Sequence, residues 1–511
     1  MTYRNRLIAV VAGALVLTLG LSGCVSAFVP KPAPSTSAPT GESVDAALQP
    51  FYNQVLKWND CGDGMQCTTA IAPLDYADPG AADIDLALVR HVATGGNRVG
   101  SLLVNPGGPG ASGYDIVKNS LSFVTDDTLQ SSFDIVGFDP RGVGRSSAVA
   151  CYEPAAMDEY LYGLTTAPRG SDAWIAELEA SSAAFGAACA AGTGPLLGHV
   201  DTESAARDLD LLRAALGDTT LNYLGYSYGT YLGATFAKLF PEKVGRLAFD
   251  GALDPATTNF EVTELQAKGF ESALRAYLAA CLDGSDCPFS GTVDNAMSTV
   301  GALLASVDVS PIANSDGRQL GSNALLTAII YPLYQEAAWP LLTAMFTSVM
   351  RNDATDAFQL ADSYNGRQAD GTYLDNSSEA FSAINCIDYA YNDDPAAMRA
   401  QAAEIEAAAP TIGRYMSFGD IACANWPDSF TGERGEIAAT GAAPILVVGT
   451  TNDPATPYAW AQSLAAQLDS AQLVTFTGEG HTAYNKGSAC VNNAVDEYLV
   501  NGVVPAADPM C

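Results

Sequence analysis

A chain of 511 residues with 48% hydrophobic and 16% charged residues has a globular composition, and is long enough for two domains or one domain with a large insertion. Its formal net charge of −33 gives a surface that repels nucleic acid, which excludes a polyanion-binding role. Three histidines and eleven cysteines, with no CxxC pair, argue against a metal centre, and no cofactor or metal is expected.

The chain opens with MTYRNRLIAVVAGALVLTLGLSG, a short basic segment followed by an apolar run from Leu7 to Leu21. A membrane span needs about 20 such residues, so 1–23 is expected to be a signal peptide. Leu21-Ser22-Gly23-Cys24 resembles a bacterial lipobox, which makes Cys24 the expected lipidation site and the exported cell-membrane surface the expected location; plain secretion is the alternative. The Pro/Ser/Thr-rich run through FVPKPAPSTSAPTGES assigns 24–42 to a flexible tether, with folded structure from Ser43. Setting Cys24 aside leaves Cys61, Cys67, Cys151, Cys189, Cys281, Cys287, Cys386, Cys423, Cys490 and Cys511, an even number that suits disulfides in an oxidising compartment. Their layout suggests nearest-neighbour pairing without proving it.

IDLALVRHV and GSLLVNP are expected strands, followed by FDIVGFDP and LNYLGY, with the helical pattern of TESAARDLDLLRAALG between the last two. VGRLAFDG and APILVVGT continue an alternation that implies a doubly wound, mainly parallel α/β sheet. The rhythm fails between them, where the chain becomes Ala-rich and helical. The expected organisation is an α/β core over 43–254, a helical cap over 255–441 and the rest of the core over 442–511.

Gly225-Tyr226-Ser227-Tyr228-Gly229 fits Gly-x-Ser-x-Gly, a motif that 47 glycines make cheap by chance. Its setting is more specific: a strand precedes it and the helical YGTYLGATFAKLF follows, as a nucleophile elbow requires. Serine needs a base oriented by a carboxylate. His91 falls inside an expected strand and His199 in a loop before the elbow. His481, in FTGEGHTAY, follows the last expected strand, and Asp453, in ILVVGTTNDPATP, lies one βα unit earlier, which completes the order Ser, acid, His. Asp453 alone could be a helix cap, and Asp469 is the competing acid. VNPGGPGASG directly follows a strand and lacks both a Walker lysine and a GxGxxG register, so it reads as an oxyanion loop rather than a phosphate loop. Its Gly108 N–H, with Gly107 beside it as the alternative, and the Tyr228 N–H are the candidate donors.

Taken together, NPGGPGASG, FDPRGVGRSS, GYSYGTYLGATFAKLFP, GTTNDPATP, GEGHTAY, AINCIDYA and CANWP resemble the α/β-hydrolases of the prolyl iminopeptidase and tripeptidyl aminopeptidase group, in its actinobacterial secreted and lipid-anchored branch. The likeness runs from about Cys61 onward. It implies an α/β-hydrolase fold, Ser227 as nucleophile, His481 as general base, Asp453 as its acid, and exopeptidase activity on a free peptide N-terminus. One departure is Pro106, where many relatives carry a histidine before the glycines; the backbone donors survive this change. An enzyme that binds a substrate ammonium needs acids in its cap, because an unpaired buried charge costs several kcal/mol. Asp388 in INCIDYA and Glu336 in YPLYQEAAWP are the candidates. Peptides are the expected substrates and a monomer the expected state. A serine esterase or lipase with the same triad is the alternative, since IIYPLYQEAAWPLLTAMF could line an acyl-chain site.

Overall fold

The computed structural model describes residues 33–428, 432 and 434–511. The segment expected to be a signal peptide and Cys24 lie outside them. Ten strands form one sheet: β1 (Ser35–Thr36), β2 (Lys57–Asp60), β3 (Met65–Pro73), β4 (Asp83–His91), β5 (Gly100–Asn105), β6 (Phe133–Phe138), β7 (Leu221–Tyr226), β8 (Val244–Asp250), β11 (Ile445–Asn452) and β12 (Ala471–Glu479). The missing numbers, β9 (Ile312–Ala313) and β10 (Gln319–Leu320), are a separate short hairpin. The order across the sheet is β1-β2-β3-β4-β6-β5-β7-β8-β11-β12. It is antiparallel from β1 to β6 and parallel from β6 to β12.

Alternate residues of each central strand feed two cores, as the two-residue period of a strand dictates. Leu103, Val136, Tyr223 and Val447 pack with Leu209, Leu212, Leu232, Phe236 and Leu464 of the helices Thr202–Leu216, Tyr228–Leu239 and Tyr458–Gln467. Their neighbours Leu102, Ile135, Leu224 and Val448 face Val117 of Gly113–Val124 and Val495 and Leu499 of Ala489–Asn501. Burial on both faces explains why these strands read as apolar runs.

Among the described residues between β8 and β11, the secondary structure is helical apart from the short hairpin. The longest helix, Asn259–Asp283, starts with a capping box in which Thr258 and Glu261 satisfy each other's backbone groups. A third core joins it to Ser322–Leu333, Trp339–Val349 and Thr355–Asn365 through Phe270, Leu274, Leu325, Ile329, Phe346 and Phe358.

Three boundaries differ from those expected. Residues 33–42 are docked rather than tethered: β1 pairs with β2, the Thr40 N–H donates to Ala214 O, and Glu42 pairs with Arg213 at 2.6 Å and Lys243 at 3.0 Å. Tyr162, expected in the core, packs in the cap cluster, while Trp174 and Ile175 meet Met398 and Ile421. Conversely, the cap helix Ser377–Asp388 sends Ala380, Ile384 and Ile387 into the main core. Strand pairing and ion pairs decide the first case and side-chain burial the other two.

Disulfides join Cys61 to Cys67, Cys151 to Cys189, Cys281 to Cys287, Cys386 to Cys423 and Cys490 to Cys511. The last one ties the C-terminus to the final helix, and the Cys511 N–H donates to Thr475 O of β12.

Candidate active site

At the end of β7 the backbone turns sharply, with Ser227 at φ 55° and ψ −125°, before the helix Tyr228–Leu239 begins. A non-glycine residue there costs about 1–3 kcal/mol, and the flanking glycines make the turn feasible. A Cβ on Gly225 would lie 2.5 Å from Gly229 O, and one on Gly229 would lie 2.8 Å from Asn105 O. The Ser227 N–H donates to Asp250 O at 2.9 Å, which fixes the elbow to the end of β8.

His481 lies in the loop after β12 and is 9% exposed. Its Nδ1 is 2.9 Å from Asp453 Oδ2 and 3.0 Å from Oδ1. Asp453, beyond β11, also accepts from the N–H groups of Ala455 and Thr456 and from the Thr456 hydroxyl. It therefore organises its own turn as well as facing the imidazole. Thr456 Oγ1 is itself 3.2 Å from His481 Nδ1, a contact that nothing in the sequence pattern singles out. Asp469 instead stands at the far end of the intervening helix, where its N–H donates to Ala438 O. His91 is in β4, and the His199 carbonyl accepts from buried Arg141.

The His481 loop is held from two sides. From the core, the fully buried Asp250 carboxylate accepts from the Ala483 and Tyr484 N–H groups, and burial raises its pKa against those bonds and the nearby Lys486 charge. From the cap, the Tyr334 carbonyl accepts the His481 N–H at 2.8 Å and the Tyr334 ring meets the imidazole edge-on at 5.4 Å. Gly251, at φ +68°, leaves room for the imidazole: a Cβ there would lie 3.0 Å from His481 Cε1. The imidazole and Ser227 thus both contact the Asp250-Gly251 step.

The loop after β5 closes the other side. A Cβ on Gly107 would lie 2.8 Å from Ser227 Cβ and 3.1 Å from the Tyr228 nitrogen, so this loop abuts the elbow. The Gly107 N–H is already given to Asn105 Oδ1 at 2.9 Å. The Gly108 N–H finds no acceptor among the described residues, and the Tyr228 N–H, at the first helical position, has none within its helix. An oxyanion is the ligand that two such free donors beside a serine suit.

The two cap acids differ in environment. Asp388 is 3% exposed; one oxygen accepts the Thr202 N–H at 2.9 Å and the other its hydroxyl at 2.5 Å. Burial raises its pKa to about 6 despite those bonds. Glu336 is exposed and borders a cap cavity of about 780 Å³ with Tyr277, Asp286, Trp339 and Asp356. Its charge adds to the burial that raises the pKa of Glu479, two residues before His481. Neither Ser227 nor His481 lines that cavity. Among the described residues, no group of three or more His, Cys, Asp or Glu side chains is arranged to hold a metal ion.

The sequence matches known proteins over nearly its whole length. A family model described as TAP-like protein matches residues 409–511, the stretch that carries Asp453 and His481. Serine protease Hip1 of Mycobacterium tuberculosis is 34% identical over 490 residues, covering 91% of this chain and 92% of that one. Carboxylesterase B of the same organism is 36% identical over 475 residues, with 89% of each chain covered. Tripeptidyl aminopeptidase of Streptomyces lividans is 28% identical over 523 residues, covering 98% and 96%. With a parallel-stranded core, a serine at a strained strand-to-helix turn and a buried Asp-His pair in the required chain order, the chain belongs to the TAP-like family of α/β-hydrolase serine hydrolases.

Proposed function

We propose that the protein is a serine exopeptidase that removes short peptides from free N-termini through an acyl-enzyme on Ser227. The observation that carries this reading is the Asp453–His481 pair at 2.9 Å beside the strained Ser227 elbow. Two of the relatives bear the names of a serine protease and a tripeptidyl aminopeptidase. In the reaction, Ser227 Oγ attacks the scissile carbonyl and passes its proton to His481 Nε2, while Asp453 holds Nδ1 and stabilises the imidazolium. The carbonyl oxygen, now anionic, accepts from the Gly108 and Tyr228 N–H groups. Collapse breaks the C–N bond, and the leaving amine takes the proton from His481. Water then attacks the ester with the same proton route, which frees the peptide and restores Ser227.

Of the two candidate ammonium ligands, Glu336 is the one this reading retains. Asp388 has both oxygens engaged by Thr202, whereas Glu336 is exposed and stands beside a second carboxylate. The enzyme acts outside the cytoplasm as a monomer, anchored by lipid on Cys24 or secreted; five disulfides suit that compartment. No helix among the described residues is long and apolar enough to cross a membrane. The Carboxylesterase B relative favours a second reading, an esterase with the same three residues.

Peptidyl-coumarin substrates with free and with acetylated N-termini separate the two. An exopeptidase cleaves the free form and loses at least about tenfold in kcat/KM on the acetylated one, about 1.4 kcal/mol of ammonium recognition. Cleavage of simple esters with neither peptide form cleaved would favour the esterase, and equal rates on both peptides would show a peptidase that does not read the ammonium. Ser227→Ala abolishes hydrolysis and fluorophosphonate labelling; persistence of either removes Ser227 from its role.

A further inference from the structure

Asp388 is a buried carboxylate that the proposed reaction does not use, yet its hydrogen bonds lead to the elbow. Its Oδ1 accepts the Thr202 N–H, and its Oδ2 accepts the Thr202 hydroxyl proton at 2.5 Å. Thr202 Oγ1 is also 2.5 Å from the Tyr228 hydroxyl. Since the single Thr202 hydroxyl proton goes to Asp388, Tyr228 must donate its own to Thr202, and the chain has one direction. Burial, reinforced by the Asp388 charge, raises the Tyr228 pKa well above its ordinary value, so its proton stays in place. Tyr228 is also the residue whose main-chain N–H the proposed reaction assigns to the oxyanion. Its ring is 5% exposed and packs edge-on against Tyr231 at 6.2 Å, leaving the hydroxyl as its polar tether.

We propose that Asp388 is a positioning residue for the oxyanion hole: through Thr202 it holds the Tyr228 side chain, and with it the main-chain N–H that follows Ser227. The helix Ser377–Asp388 ends at this carboxylate, which meets the N-terminus of Thr202–Leu216, and the Cys386–Cys423 disulfide lies two residues away. Other groups face Asp388 from the surrounding elements. Asp201 repels its charge, and Arg434 attracts it. Arg434 lies between the rings of Tyr231 at 4.1 Å and Tyr389 at 3.9 Å. Both of those hydroxyls have raised pKa values through burial and remain neutral.

Protonation of Asp388 reverses the chain. A protonated carboxyl donates to Thr202 Oγ1, Thr202 then donates to Tyr228, and the phenol proton loses its acceptor in a buried site. The expected midpoint, about 6, lies within reach of a pH profile. This inference rests on acyl transfer at Ser227 but not on peptide substrates, so the test uses an activated ester, p-nitrophenyl acetate, which carries no ammonium. Fluorophosphonate labelling of the wild type first verifies the nucleophile.

Removing one oxyanion donor typically costs about 10²–10³ in rate, and misdirecting one costs less. Tyr228→Phe and Thr202→Val, in the full chain and with melting temperatures recorded, are expected to lower kcat about tenfold with KM within about twofold. Thr202→Ser keeps the hydroxyl and stays within about twofold of wild type. The double variant Thr202→Val/Tyr228→Phe is no slower than the slower single one, because both cut the same chain. The ratio of wild-type to Tyr228→Phe kcat falls as pH drops through about 6, because the phenol then keeps its bond to Thr202 but leaves its own proton without an acceptor; in the Asp388→Asn background it is flat. The proposal is overturned by an unchanged kcat in folded Tyr228→Phe, by losses that multiply in the double variant, or by a wild-type ratio independent of pH. It is equally overturned if Asp388→Asn leaves ester kcat intact and raises KM only for free-ended peptides, which would make Asp388 an ammonium ligand.

Discussion

Gly107 shows how little room separates the proposed oxyanion loop from Ser227. At φ +98° it adopts a backbone conformation that L side chains rarely take, and a Cβ there would sit 2.6 Å from Tyr226 O and 2.8 Å from Ser227 Cβ. Neither neighbour can rotate away, since one is main chain and the other is fixed by the elbow. Gly107→Ala is therefore expected to push the loop outward, and a displacement of about 1 Å at a catalytic centre costs about 10² in rate. Steady-state kinetics and a thermal melt check this: kcat falls by about that factor and the melting temperature drops, whereas wild-type kcat would show that the loop has slack. At this scale the sequence was most legible where chemistry limits the choice. Three histidines and a fixed chain order singled out His481, with Asp453 as its acid and Asp469 as competitor, and of these two acids it is Asp453 that lies against the imidazole. Thr456 could not be named, because a threonine after an Asp-Pro turn has the appearance of ordinary capping. Asp388 was noticed for its charge, but its partner Thr202 is 186 positions away, and no local pattern reports such a pairing.

Between elements, Arg141 in the FDPRGVGRSS segment performs a task the motif alone does not reveal. Its side chain is fully buried and donates to both Asp208 oxygens at 2.7 Å, and also to Pro73 O, Leu74 O and His199 O. It thereby joins the end of β3, the turn after β6 and the helix Thr202–Leu216 that carries Thr202. Arg141→Met leaves the Asp208 charge unpaired in a dry site, a defect worth about 3–5 kcal/mol. Urea unfolding monitored by fluorescence should show that loss, and Arg141→Met/Asp208→Leu should recover part of it; a single variant as stable as wild type would contradict the assignment. The central strands were legible because burial on both faces makes them apolar runs, as in LNYLGY for β7. The antiparallel run from β1 to β6 was not, because strand order depends on pairings between distant segments. The docking of residues 33–42 was hidden for a related reason: Pro/Ser/Thr composition describes an unpaired chain, while a short strand pairing and the Glu42 ion pairs bind it to the core.

Across the whole molecule, the described residues form three major apolar cores, two on the faces of the sheet and one inside the cap. The cap core is built mainly from its own helices, with Tyr162 and Ala455 joining it from the sheet domain, and several of its other links to that domain are single polar contacts: Tyr334 O to the His481 N–H, Gln266 Nε2 to Ala455 O, and Ser272 Oγ to Asn452 Oδ1. Each such bond is worth about 0.5–1.5 kcal/mol, far less than the burial within either core. A unit with its own core and polar ties is expected to open separately from the sheet. Native-state hydrogen exchange in low denaturant should place the amides of Asn259–Asp283, Ser322–Leu333 and Thr355–Asn365 in one opening unit, below the free energy at which β5 and β7 exchange. The helix Ser377–Asp388 should follow the sheet instead, because its apolar face lies in the main core and Asp388 is fastened to Thr202. Activity should vanish with the cap transition, since Tyr334 supports the base loop from the cap side. Merging of all these amides into one global isotherm would mean that the polar contacts couple the two bodies more tightly than their number implies, and cap and core would then be a single cooperative unit.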